Sequence, residues 1–132
     1  MGPTQLVFFT TTDAKSDRAA DLARLFASIE VNCPGDKTLH LLVQNATAPP
    51  VALPLWVRAL AIPGQLSLSQ ARNRLLADVP LADTDLIAFP DDDCWYPPAT
   101  LRRIVEAFGQ EKDLDLLVTR YSAHPMAADT TP

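Results

Sequence analysis

The sequence predicts an α/β fold, built on a mostly parallel sheet with helices on both faces. Short apolar runs of strand length alternate along the chain with segments whose apolar residues recur at helical spacing. Such alternation is typical of β-α-β units, which build parallel sheets covered by helices. The chain has 132 residues and is 48% hydrophobic, which is enough for one domain with a buried core.

The amino-terminal part predicts one β-α-β unit. Gln5–Thr10 is a β-branched and aromatic run that we expect to end in a polar loop at residues 10–13, and Leu39–Val43 is a second apolar run of strand length. We expect Ser16 or Asp13 to cap the intervening helix, and Cys33-Pro34-Gly35 to end it. Its apolar stripe consists of Leu22, Leu25, Phe26 and Ile29.

The middle of the chain predicts two further strands around a helix. The first strand is expected over Trp56–Ile62. Ser67 and Gln70 occupy the two positions of a capping box, so a helix is predicted over Leu68–Asp78. Asp85–Phe89 is apolar on consecutive positions, which is typical of a strand buried on both faces. The apolar side of the helix carries Leu68, Ala71, Leu75 and Leu76.

The last predicted helix follows a pair of prolines. Pro97 and Pro98 are expected to preset its first turn, and Gly109 is expected to end it. A final strand is predicted over Leu114–Thr119. We therefore expect one domain over residues 1–119 and an irregular tail over residues 120–132. The apolar stripe of this helix consists of Leu101, Ile104, Val105 and Phe108.

Composition and charge exclude several classes of partner. The formal net charge is −5 and no block of basic residues occurs, so we expect no nucleic-acid partner. The chain shows neither a signal peptide nor the roughly 20 apolar residues of a membrane-spanning helix, so a cytoplasmic protein without a transmembrane segment is expected.

Cys33 and Cys94 are expected to be free thiols. His40 is expected to pack half-buried in its strand, whereas His124 lies in the tail.

Three consecutive acids, Asp91, Asp92 and Asp93, follow the strand predicted to end at Phe89. In open α/β sheets, ligands bind beyond the carboxyl ends of the strands. In an extended chain, Asp91 and Asp93 point to one side and Asp92 to the other. Two converging carboxylates favour a hard divalent cation such as Mg²⁺ or Mn²⁺, for which the neighbouring Cys94 thiolate is too soft. The alternative is a solvated acidic turn near the positive end of the next helix.

Two motifs stand in order in this region: a helix that carries Ala71-Arg72-Asn73, and a buried strand that ends in Asp-x-Asp before a proline-started helix. Together they resemble the central motifs of family 2 glycosyltransferases, which have the GT-A fold. The resemblance implies transfer of a sugar from a nucleotide-diphosphate donor with a divalent metal. It also implies a GT-A, Rossmann-like domain, here truncated after the Asp-x-Asp helix and the following strand.

The resemblance implies roles for individual acids. Asp93 would be a metal ligand, and Asp91 would contact the metal or the nucleoside. Asp92 would support Asp91 or Asp93 in these roles, as a further nucleotide-binding residue.

The resemblance implies contacts with the nucleotide for four further residues. Arg72 and Asn73 would meet the base or the phosphates, although both also fit the polar face of an amphipathic helix. Thr11 lies where the loop after the first strand touches the nucleotide in the family. Asn45 follows the second strand, at a position where the family more often has an acid, and would contact the base.

The chain also departs from the family, whose members continue beyond this point with the acceptor site and the general base. No catalytic base is assigned here. We expect a glycosyltransferase or its donor-binding half; the alternative is a non-catalytic nucleotide-sugar-binding module. The chain alone is expected to transfer sugar poorly or not at all and to hydrolyse a donor slowly, with water as the nucleophile. It is also expected to self-associate through exposed sheet edges. A phosphotransferase would carry its Asp-x-Asp after the first strand, where this chain has only Asp13.

Overall fold

The computed structural model describes residues 5–33, 35–111 and 113–115, and they form four strands and three helices. The strand predicted over Leu114–Thr119 extends beyond these residues, and the predicted tail with His124 lies outside them, so the domain boundary at residue 119 stays a prediction. In chain order the elements are β1 (Leu6–Asp13), α1 (Ala19–Asn32), β2 (Lys37–Gln44), β3 (Val57–Ala61), α2 (Leu68–Ala77), β4 (Leu86–Ala88) and α3 (Thr100–Gln110).

The four strands form one sheet in the order β3-β2-β1-β4, and every neighbouring pair is parallel. The chain therefore moves outward from β1 through β2 to β3, and then returns through α2 to place β4 on the other side of β1. The strand order reverses between β1 and β4, and such a switch point opens a crevice at the carboxyl ends of the strands. The α/β fold predicted from the sequence is confirmed as a Rossmann-like arrangement, in which the described strands are all parallel.

Helices cover both faces of the sheet, as the alternation of strand side chains requires. On one face, Phe8 and Leu41 pack in a cluster with the α1 residues Leu22 and Leu25 and with Leu101 of α3. On the other face, α2 packs in a smaller cluster whose buried members are Val7, Phe9, Leu42, Ala71 and Leu75. The capping box at the start of α2 is confirmed, but Leu68 is 52% exposed and lies outside this cluster.

β1 is longer than the sequence analysis predicts. The polar residues 10–13 continue the strand instead of forming a loop, because Thr10 through Asp13 remain in register with Leu41 through Gln44 of β2. Threonine is β-branched and suits a strand as well as a loop. Thr11 therefore lies within a strand, and the loop of this β-α unit begins after Asp13.

α1 begins without a side-chain cap. Arg18 occupies the N-cap position and makes no capping hydrogen bond, so the prediction that Ser16 or Asp13 caps this helix is wrong. The Asp13 carboxylate is engaged elsewhere, since its Oδ1 accepts hydrogen bonds from the Lys15 backbone N–H and the Asn45 side chain, both at 2.9 Å. The stripe predicted for α1 is buried in full.

β4 is an edge strand among the described residues, and the prediction that it is buried on both faces is wrong. Leu86 and Ala88 pack against the α1 and α3 side, but Ile87 is 43% exposed and Phe89, just beyond the strand, is 41% exposed. The physical reason is the position of α2, which packs over β1 and β2 and leaves the same face of the outer strand uncovered.

α3 starts later and ends later than predicted. Pro97 and Pro98 lie in a turn before the helix, which begins at Thr100 after Ala99 adopts a left-handed conformation with φ 70°. Gly109 lies inside the helix and does not end it. The stripe is confirmed in part, because Leu101 is buried while Ile104 and Val105 are partly buried against the same cluster.

The remaining side-chain predictions concern cysteines and His40. Cys33 and Cys94 are both free thiols. His40 is half-buried and stacks on Phe9, with ring centroids 5.4 Å apart. Burial and the nearby Arg58 charge lower the pKa of His40, so its ring is neutral near pH 7 and packs as an aromatic group.

Candidate functional site

The three acids of residues 91–93, called the acidic loop below, lie beyond β4 at the carboxyl edge of the sheet. The backbone pairing of β4 with β1 ends at Ala88, which lies opposite Phe8. Pro90 has no N–H and cannot extend such a ladder. Beyond this point, two threonine hydroxyls of β1 form the hydrogen bonds to this segment. Thr10 Oγ1 donates to the Pro90 carbonyl at 3.1 Å, and Thr12 Oγ1 donates to Asp92 Oδ2 at 2.8 Å. Both pairs keep the strand register, so β1 fixes the position of the acidic loop.

Asp91 and Asp93 converge, as the sequence predicts, but for a different reason. One carboxylate oxygen from each and the Cys94 Sγ lie within 4.8 Å of one another. The segment is a turn, closed by a hydrogen bond from the Cys94 N–H to the Asp91 carbonyl at 3.2 Å, and is not an extended strand. Both carboxylates are exposed, which leaves room for water or phosphate oxygens around a bound cation.

The Cys94 thiol stands beside these carboxylates at 3.9 Å from Asp93 Oδ1. Its burial raises the pKa of the thiol, and the negative charges of Asp91 and Asp93 raise it further. The side chain therefore stays protonated near pH 7, and a neutral thiol is a poor ligand for a hard cation. The ligands of this group that suit Mg²⁺ or Mn²⁺ are the two carboxylates.

Asp92 points away from this pair and toward β1. Its carboxyl is half-buried, and this burial raises its pKa, while the Thr12 hydrogen bond and the Arg18 charge oppose the rise. Asp92 thus serves as the anchor of the acidic loop, and it holds the other two acids toward solvent.

Arg18 is part of this site, and sequence reasoning missed it. Its Nη1 lies 3.3 Å from Asp93 Oδ2, and its Nε lies 3.9 Å from Asp92 Oδ1. A third carboxylate, that of Asp21 one turn along α1, lies 3.7 Å from the same Nη1. The sequence carries no local signal for this contact, because 75 positions separate Arg18 from Asp93.

Asn45 and Asp13 meet at the neighbouring strand ends. Asn45 directly follows β2 in a left-handed conformation with φ 57°, and its Nδ2 donates to Asp13 Oδ1 at 2.9 Å. This bond and the Lys15 backbone N–H lower the pKa of Asp13. Thr11 shares with Asp13 the face of β1 opposite Thr12, so the strand places it on the α2 side and away from the contacts of the acidic loop.

The two α2 residues of the predicted site lie in different surroundings. Arg72 is half-buried, with its guanidinium 5.1 Å from the centre of the Phe89 ring, immediately before the acidic loop. This contact is a cation–π interaction that orients the Arg72 side chain along the carboxyl edge. Asn73 is exposed on α2.

The aromatic residues after the acidic loop pack against α1 and the core. Tyr96 lies 5.9 Å from the Phe8 ring, and its burial strongly raises the pKa of the phenol. Its backbone N–H donates to Ser28 Oγ at 3.1 Å. Trp95 is half-buried, with the Arg24 guanidinium 5.9 Å from its ring centre. These contacts hold the segment that leads into α3 against α1.

A cavity of about 270 Å³ lies apart from the acidic loop, between α2 and the β2–β3 pair. Its lining includes His40, Arg58, Arg74 and Asp78. These residues belong to the middle of the strands and to the end of α2, so the cavity is separate from the carboxyl edge.

Comparison with known proteins gives one family match. The family model for glycosyl transferase family 2 matches residues 35–130, which include β2, α2, the acidic loop and α3. No curated protein and no solved structure matches the chain. No helix among the described residues is long and apolar enough to cross a membrane.

Proposed function

This chain belongs to glycosyl transferase family 2, and we propose that it binds the nucleoside diphosphate of a sugar donor through a divalent cation at Asp91 and Asp93. Family membership supports a glycosyltransferase-type function in general. The single observation that supports cation and nucleotide binding at this site is the convergence of these two exposed carboxylates at the switch point between β1 and β4.

Mg²⁺ or Mn²⁺ is the proposed cation because the usable ligands are carboxylate oxygens. Two carboxylates fill only part of the coordination shell of such an ion, and phosphate oxygens can complete it. The bound cation would neutralise the diphosphate, which the acidic loop alone would repel. Asp91 and Asp93 hold the ion in this proposal, and Asp92 keeps their loop in place through Thr12.

The nucleoside end of the donor would lie along the same edge of the sheet. Arg72 is the best-supported contact, since its guanidinium is partly buried beside Phe89 and can meet phosphate or base. Asn45 is held by Asp13 at the end of β2 and offers an amide oxygen for recognition of the base. Thr11 and Asn73 are proposed as further contacts on position alone.

Calorimetry tests this proposal directly. UDP, GDP and dTDP are titrated in Mn²⁺, in Mg²⁺ and in EDTA, and we expect heat of binding for at least one nucleotide in metal only. Asp93→Ala should abolish metal-dependent binding. Asp83→Ala, which removes an exposed acid from the segment before β4, is the matched control and should bind as the wild type does. Equal binding in EDTA would refute the role of the metal.

Activity assays address the alternative of a non-catalytic binding module. A purified chain that binds a nucleotide with metal, but neither transfers nor hydrolyses any donor of a nucleotide-sugar panel, would be a binding module. Release of the nucleoside diphosphate would support a transferase-type site that uses water when no acceptor is held. Self-association and a cytoplasmic location stay predictions, and light scattering after size-exclusion chromatography would test the first.

A further inference from the structure

Arg18 places a positive charge beside Asp93, one of the two residues that would hold the cation. Its Nη1 lies 3.3 Å from Asp93 Oδ2, and the same guanidinium reaches Asp92 through Nε at 3.9 Å. The acidic loop concentrates three negative charges within three residues, and Arg18 is the basic side chain that forms ion pairs with it among the described residues.

We propose that Arg18 is an internal counter-ion, which stabilises the acidic loop when no divalent cation is bound and is displaced when one binds. This inference rests on the metal site of the proposed function. A divalent cation on Asp93 and a guanidinium 3.3 Å from the same carboxylate repel each other at short range, so one weakens the binding of the other.

The geometry also provides a place for the displaced guanidinium. Asp21 Oδ2 lies 3.7 Å from Arg18 Nη1, one helical turn along α1. Arg18 Nη1 thus lies within ion-pair distance of both carboxylates, so Asp21 can remain its partner when Asp93 binds the cation. Since the side chains of Arg18 and Asp93 are 40% and 48% exposed, the ion pair is accessible to water and weak enough to be exchanged.

Direct titration with Mn²⁺ alone, followed by calorimetry and by electron paramagnetic resonance of the free ion, tests this role without any catalytic readout. Exposed ion pairs contribute up to about 1 kcal/mol, so we expect Arg18→Gln to bind Mn²⁺ about three- to fivefold more tightly than the wild type at low ionic strength. The gain should shrink in high salt, which screens the repulsion. Arg18→Lys keeps the charge and should stay close to the wild type.

Arg74→Gln is the matched control, because it removes one charge from a helical ion pair with Asp78 that is remote from the acidic loop. It should leave Mn²⁺ affinity unchanged. Unchanged or weaker Mn²⁺ binding by Arg18→Gln would overturn the inference. If the wild type then still binds Mn²⁺ and Asp93→Ala does not, the proposed metal site stands without it. If neither the wild type nor Arg18→Gln binds Mn²⁺, both proposals fail.

Discussion

The hydrogen bond from Thr12 to Asp92 connects β1 to the acidic loop, and Thr12→Val removes it with little change in shape. Thr12 Oγ1 donates to Asp92 Oδ2 at 2.8 Å, Thr12 is 3% exposed, and the Asp92 side chain is 18% exposed. Valine keeps the branched side chain but has no donor. Within the described part of the chain, the side-chain partner left to the Asp92 carboxylate is then the more distant Arg18 guanidinium, at 3.9 Å.

Such a hydrogen bond to a charged group contributes about 1.5–3 kcal/mol. Because Asp92 retains some contact with water, we expect the lower end of this range, a loss of about 1.5 kcal/mol in the free energy of unfolding at neutral pH. Thr12→Ser is the matched control, since it keeps the hydroxyl and removes one methyl group. It should cost only about 0.5–1 kcal/mol, from lost packing.

The pH dependence separates the loss of the hydrogen bond in Thr12→Val from the loss of packing in Thr12→Ser. Burial raises the folded-state pKa of Asp92, and the Thr12 hydrogen bond opposes this rise, so Thr12→Val raises it further. A carboxyl with a raised folded-state pKa destabilises the folded protein above that pKa and ceases to do so once it is protonated. The deficit of Thr12→Val relative to the wild type should therefore shrink as the pH falls through the folded-state pKa of Asp92.

Urea denaturation, followed by circular dichroism at a series of pH values from neutral to about pH 4, provides the measurement. The Thr12→Ser deficit should remain constant over the same range. A Thr12→Val deficit that does not change with pH, or one equal to that of Thr12→Ser at neutral pH, would show that this hydrogen bond does not anchor the carboxylate.

Three further predictions concern stability, each measured by thermal or chemical unfolding. Ala99→Gly should raise the free energy of unfolding by about 0.5 kcal/mol, because Ala99 has φ 70°, which is costly for any residue with a Cβ; a loss of stability would contradict this. Leu75→Ala should lower it by about 2–4 kcal/mol, since Leu75 is 6% exposed and packs in the α2 cluster, whereas Leu68→Ala should have little effect. Ser67→Ala should cost about 1 kcal/mol, and no loss would argue against the capping box.

The sequence predicted those parts of the fold that rest on local patterns. The strand-length apolar runs and the stripe of α1 fixed which elements form, and the Ser67–Gln70 box fixed the start of α2. The exposure of Ile87 could not be predicted in this way, because it depends on how far α2 extends across the sheet. The predicted end of α3 was also wrong, because a glycine ends a helix only where the backbone after it leaves the helical conformation.

The site was predictable to the extent that it is contiguous in sequence. Asp91 and Asp93 stand two positions apart, and any turn or strand in this segment allows their carboxylates to approach. Arg18 and Thr12 could not be found, because their contacts with the acidic loop depend on the pairing of β1 with β4 and on where α1 begins. Long-range pairing of this kind leaves no mark on the local pattern of either segment.

The threonines of β1 explain how an acidic loop is held at a fixed place in this fold. Phe8 lies opposite Ala88, and the Thr10–Pro90 and Thr12–Asp92 hydrogen bonds continue the same offset of 80 residues, as if the ladder had not ended. Backbone pairing must stop at Pro90, so hydroxyl groups on alternate residues of β1 take its place. The acidic loop therefore does not need to adopt an extended conformation, and its turn can bring the carboxylates of Asp91 and Asp93 together. Its position is still fixed by hydrogen bonds to β1, an inner strand of the sheet.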